Sequence, residues 1–69
     1  MHYPDIINMV KVRRDQLNIS QETLAEIAGV GLRTLKQIER GKGNPTLSTL
    51  FKIADVLGME FKLEVRKPE

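Results

Sequence analysis

Sixty-nine residues make one domain, and a chain this short buries only a modest core, so it depends on good helix packing, on a second copy, or on both. There is no cysteine and His2 is the only histidine, which excludes disulfides, thiolate metal sites and a histidine-built metal site, so no cofactor is expected. The net charge is only +2, but the bases cluster: Lys11, Arg13 and Arg14 early, then Arg33, Lys36, Arg40 and Lys42 with Glu39 as the single acid among them.

Pro4 and Asp5 suit a helix start, because proline fits the first turn and an acid favours the dipole there. Ile6, Ile7, Val10, Arg14 and Leu17 recur at helical spacing and predict a first helix over 5–17, stopped by Asn18. Ser20 is an N-cap for a second helix with Glu22 in its first turn and Leu24, Ala25, Ile27 and Ala28 as its apolar positions. Gly29 stands where a helix ends in a left-handed residue. Val30, a buried plug, and Gly31 complete a three-residue turn. A third helix then runs over 32–40, with Leu35 and Ile38 facing inward and Gly41 and Gly43 ending it. Pro45 forbids its continuation, Thr46 caps a fourth helix over 46–57, and Leu47, Leu50, Phe51, Ala54 and Leu57 form that helix's apolar stripe. Gly58 closes it.

The last segment changes period. Met59, Phe61, Leu63 and Val65 alternate with Glu60, Lys62, Glu64 and Arg66, the pattern of a half-buried strand. A lone strand leaves its backbone groups unpaired. The expected partner is the same strand of a second copy, which makes Met59, Phe61, Leu63 and Val65 the dimerisation residues; a frayed fifth helix or an extended tail is the plainer alternative.

Residues 21–41 thus read as two short helices around a tight turn, with Arg33, Lys36, Gln37 and Arg40 on one face of the second. An ordinary solvated face has the same composition, but this layout also suits a helix placed in the major groove of DNA. The small Ala25, the turn glycine Gly29 and the inward Leu35 and Ile38 meet the demands of such a motif. With Leu17, Ser20-Gln21, Leu24-Ala25, Gly29-Val30, Leu35, Ile38-Glu39, Gly41, Asn44-Pro45-Thr46-Leu47 and Leu57-Gly58, the chain resembles the Xre/Cro/CI helix-turn-helix family, the lambdoid repressor type, over about 5–58. The resemblance implies a mainly α fold, a lambda-repressor-like bundle of four helices over 1–58, to which the alternating pattern adds a C-terminal β-strand and tail over 59–69.

Carried over by position, it implies that Leu32, Arg33, Lys36 and Gln37 read base edges. Their chemistry agrees: arginine forks onto guanine O6 and N7, lysine donates to the same acceptors, glutamine pairs with adenine, and leucine can touch a thymine methyl. Gln21, Thr34, Arg40, Lys42 and Asn44 border the groove and are expected on phosphates. Arg14 is odd on an apolar stripe unless partnered, and the resemblance implies that it pairs with Glu39 as a clamp orienting the third helix. Gly31 departs from the family, which usually has serine or threonine at this N-cap. The terminal strand, in place of a dimer-forming fifth helix, resembles the HipB-like antitoxins, which bind their own operator and a HipA-like kinase toxin.

The function expected is therefore a homodimeric repressor that binds a palindromic operator in double-stranded DNA, its two reading helices about 34–36 Å apart. The alternative is a protein-interaction module of the same fold with little DNA affinity. No enzyme is expected, since there is no nucleophile–base set and no phosphate-cradling glycine loop after a strand. No apolar run approaches the roughly 20 residues that span a bilayer and no signal-peptide pattern starts the chain, so a cytoplasmic location without membrane contact is expected.

Overall fold

The chain is described by a computed structural model over residues 2–67; the last two residues of the expected tail, 68 and 69, lie outside them. Four helices follow one another: α1 (Tyr3–Gln16), α2 (Gln21–Ala28), α3 (Leu32–Glu39) and α4 (Leu47–Val56). Their ends are set by local chemistry. α1 starts earlier than expected because His2 is extended and its N–H donates to the Asp5 carboxylate at 3.0 Å. Asn18 stops α1 with a positive φ of 55°, a conformation that asparagine tolerates. The Ser20 hydroxyl accepts from the Thr23 N–H at 3.0 Å, and the Thr46 hydroxyl accepts from the Thr49 N–H at 3.1 Å. Each satisfies a donor that the first helical turn would leave orphaned.

Leu24, Leu35, Ile38, Ile53 and Leu57 are the fully buried side chains, joined in one cluster by Ile7, Val10 and Ala25. α2 packs on both α3 and α4, and α1 packs on α3. Leu35 and Ile38 therefore fasten the inner face of α3 into the core against α1 and α2. Val30 is partly buried against the cluster, as its place in the turn suggests. Tyr3 packs over the edge of the core; its hydroxyl is buried without a partner, and desolvation pushes the phenol above its ordinary value.

Four expected apolar positions lie at the surface. Leu17 and Ile27 are exposed. On α4 the buried set is Leu50, Ile53, Ala54 and Leu57, whereas Leu47 and Phe51 face outward. Ile53 was not among the expected positions although it is fully buried. The cause is tertiary: α4 is broadly apolar, and which stripe is buried depends on where α2 lies, which periodicity alone does not fix.

Residues 59–67 form no strand among the described residues. A ladder needs a second strand, and one copy of the chain supplies none. The alternating residues instead divide. Met59 packs against the core, and the Phe61 ring lies on Phe51 with centroids 5.5 Å apart and planes tilted by 57°. Leu63 and Val65 stand in solvent, at 101% and 95% exposure. Arg13, which sequence periodicity leaves unassigned, joins the ends of the domain: its Nε donates to the Leu57 carbonyl at 2.9 Å and satisfies an acceptor at the end of α4. No helix among the described residues is long and apolar enough to cross a membrane.

Candidate nucleic-acid interface

The turn between α2 and α3 is built on backbone geometry. Gly29 is left-handed at φ 72°, and the Val30 N–H returns to the Ala25 carbonyl at 3.0 Å. Gly31 then adopts an extended N-cap conformation with no side-chain cap, while its carbonyl accepts from the Leu35 N–H at 3.0 Å and starts α3. A hydroxyl at position 31 would have satisfied one more donor, a difference of a few tenths of a kcal/mol.

Because α3 buries Leu35, Ile38 and Glu39, its 3.6-residue period turns Arg33, Lys36, Gln37 and Arg40 outward. These four, with the half-buried Leu32, line one open surface cleft of about 400 Å³. The structure thus brings all four expected base-reading residues together with Arg40. Thr34 is exposed, with its hydroxyl near Gly31. Lys42 and Asn44 are exposed in the loop after α3, where the Lys42 N–H bonds the Gln37 carbonyl at 2.9 Å and the Gly43 backbone passes close to the Gln37 side chain. That loop is pinned to the end of α3.

Behind this face lies an ion pair. Arg14 reaches across from α1 and grips Glu39 with two parallel hydrogen bonds, Nε to Oε2 and Nη2 to Oε1, each 2.9 Å. A third donor of Arg14, Nη1, bonds the Ile19 carbonyl at 2.9 Å. The Glu39 side chain is 5% exposed and that of Arg14 16%. The hydrogen bond to Glu39 raises the Arg14 guanidinium above its ordinary value, against the opposing effect of burial. Gln21 belongs to this network as well: its amide donates to Glu39 Oε1 at 3.1 Å instead of pointing outward. The side chain expected on a phosphate is thus partly committed to Glu39. Lys11, one turn before Arg14 on α1, also comes to this region; the i, i+3 spacing from Arg14 is the sequence signal that places it there.

A family model described as Helix-turn-helix matches residues 10–63, which covers α2, α3 and α4. The chain belongs to this Xre/Cro-type helix-turn-helix family. Among curated members, the HTH-type transcriptional regulator SutR of Escherichia coli is 40% identical over 60 residues, which is 87% of this chain and 34% of SutR. An HTH-type transcriptional regulator of Methanocaldococcus jannaschii is 40% identical over 55 residues, 80% of this chain and 83% of that protein. The cryptic phage CTXphi transcriptional repressor RstR of Vibrio cholerae is 40% identical over 45 residues, 65% of this chain and 40% of the repressor. The chain therefore spans only about a third of SutR, and the family comparison bears on the helix-turn-helix body it shares with these members.

Proposed function

We propose that this protein binds double-stranded DNA through α3 and acts as a sequence-specific transcriptional repressor. The observation that carries the proposal is the single cleft in which Leu32, Arg33, Lys36, Gln37 and Arg40 converge on a helix whose other face is locked into the core. A helix fixed in this way loses little freedom on entering a major groove, and its donors match purine edges. Relatives named as regulators and a repressor support the same reading. Arg33, Lys36, Gln37 and Leu32 take the bases; Thr34, Arg40, Lys42, Asn44 and the first turn of α2 at Gln21 hold the backbone.

The test is Arg33→Ala, measured against an operator selected from a random DNA pool and against the unselected pool. Operator binding should weaken by about 1–3 kcal/mol, or roughly 5- to 150-fold, with preference relaxed at one base position. An equal loss on both DNAs makes Arg33 a phosphate contact only. Wild-type protein with no salt-sensitive DNA binding favours the interaction-module reading instead.

The working form in this proposal is a homodimer on a palindromic operator. What supports it is the tail: two large apolar side chains, Leu63 and Val65, are left wholly in solvent in one copy, at alternating positions suited to a two-stranded ribbon. Since neither touches its own domain, Leu63→Glu with Val65→Glu leaves the monomer intact but should weaken dimerisation by more than about a hundredfold, since that is the worth of a single buried aliphatic side chain and a symmetric dimer loses four. Sedimentation equilibrium reads this directly, and an unaltered dimer sinks the ribbon. The same tail supports an antitoxin role beside a HipA-like kinase toxin, for which a kinase-like gene next to this one is the decisive observation.

A further inference from the structure

Lys36 and Arg40 form a ridge on α3 with an open cleft on either side. One cleft is the base-reading face already described. The other, about 390 Å³, is lined by Lys11 of α1, Gln21 at the first position of α2, and Lys36, Glu39 and Arg40. Lys11, Lys36 and Arg40 are all exposed, and none has a carboxylate partner among the described residues. The one acid in the wall, Glu39, is buried, and its oxygens are taken by two bonds from Arg14 and one from Gln21. It is therefore neutralised from behind, and three unpaired cations face a cleft with no free anion of its own. Such an arrangement is self-repelling until an anion enters.

The geometry points to this cleft as the seat of one DNA backbone phosphate, with Lys11 as a phosphate-binding residue. The inference rests on the proposal that α3 lies in the major groove. A helix in a groove about 12 Å wide has a phosphate wall on each side. The side of α3 that faces α1 and the start of α2 must then meet one of those walls, and this is the side where Lys11 joins Lys36 and Arg40. The first-turn N–H groups of α2 beside Gln21 add donors of the right polarity. Because Arg14 and Gln21 silence Glu39, the clamp and the phosphate seat are two faces of one network: without Arg14, an unneutralised carboxylate would line the cleft.

The test is a salt titration of binding to a short random-sequence duplex, using the full chain as wild type, Lys11→Ala, Lys11→Arg and Lys52→Ala. Lys52 is exposed on α4 and lines none of the clefts described, so it controls for the loss of one positive charge. Lys11→Ala should flatten the slope of log affinity against log salt by about 0.9, the share of one phosphate, and weaken low-salt binding about fivefold, as for one unit charge at contact distance in water. It should leave the melting temperature and the ratio of operator to random binding unchanged. Lys11→Arg and Lys52→Ala should keep the wild-type slope. A wild-type slope in Lys11→Ala, or an equal loss in Lys52→Ala, overturns the phosphate seat while the DNA-binding proposal stands. Absence of salt-sensitive binding by the wild type overturns both.

Discussion

Arg14→Ala should cost about 3–5 kcal/mol of folding stability, the range for removing one partner of a buried pair. Its guanidinium supplies two of the three hydrogen bonds to Glu39, whose side chain is 5% exposed. Without it, a buried carboxylate is left with the Gln21 amide alone. A domain of this length has only about 3–10 kcal/mol of stability in all, so the variant should be largely unfolded at moderate temperature. Glu39→Ala should cost less. Arg14 would keep its bond to the Ile19 carbonyl, lies 3.9 Å from the exposed Asp15, and at 16% exposure can reach water. Arg14→Lys should fall between, since an ammonium cannot make the parallel fork. The apolar double variant, Arg14→Met with Glu39→Leu, should be more stable than Arg14→Ala, because no charge is stranded. Urea denaturation of the four variants checks the order. A loss below about 1 kcal/mol in Arg14→Ala would place the pair with ordinary surface bridges and remove its claim to orient α3.

That ordering also shows how far the sequence carries. Arg14 was conspicuous as a charge on an apolar stripe, and a buried charge needs a partner; the structure supplies one in Glu39. Helix ends were readable for the same kind of reason, because Ser20, Gly29 and Thr46 act on backbone groups no more than four residues away. Reading failed where distant packing decides. Nothing local distinguishes Ile53, which is buried, from Phe51, which is not; the direction from which α2 approaches α4 decides between them. Gln21 looked like an outward amide until the carboxylate of Glu39, eighteen residues on, was placed beside it. The tail alternates in sequence, and that pattern led to the expectation of a strand, but none forms among the described residues, since alternation describes only which residues would share a face. The chain's own body takes Met59 and Phe61, and leaves Leu63 and Val65 for whatever covers them.

Leu35→Ala should weaken DNA binding by a different route, through the fold that carries the interface. Leu35 is 0% exposed at the centre of the inner face of α3, and truncating a buried leucine costs about 2–5 kcal/mol, depending on how far the cavity collapses. The outward residues Arg33, Lys36, Gln37 and Arg40 are untouched. The variant should therefore lose its melting transition to lower temperature, or altogether, while the interface of every folded molecule remains whole. DNA binds only the folded form, so duplex at about a hundred times its dissociation constant returns about 2.7 kcal/mol. Circular dichroism should then show helix recovered on addition of DNA. Apparent affinity should fall by the unfolded fraction, yet the salt slope should match the wild type, because the number of phosphates held is the same. Arg33→Ala makes the opposite pattern: melting unchanged and affinity for the operator lost. If Leu35→Ala instead altered the salt slope at full helicity, α3 would be shifting on the domain without unfolding it, and the rigid backing on which the reading face depends would be absent.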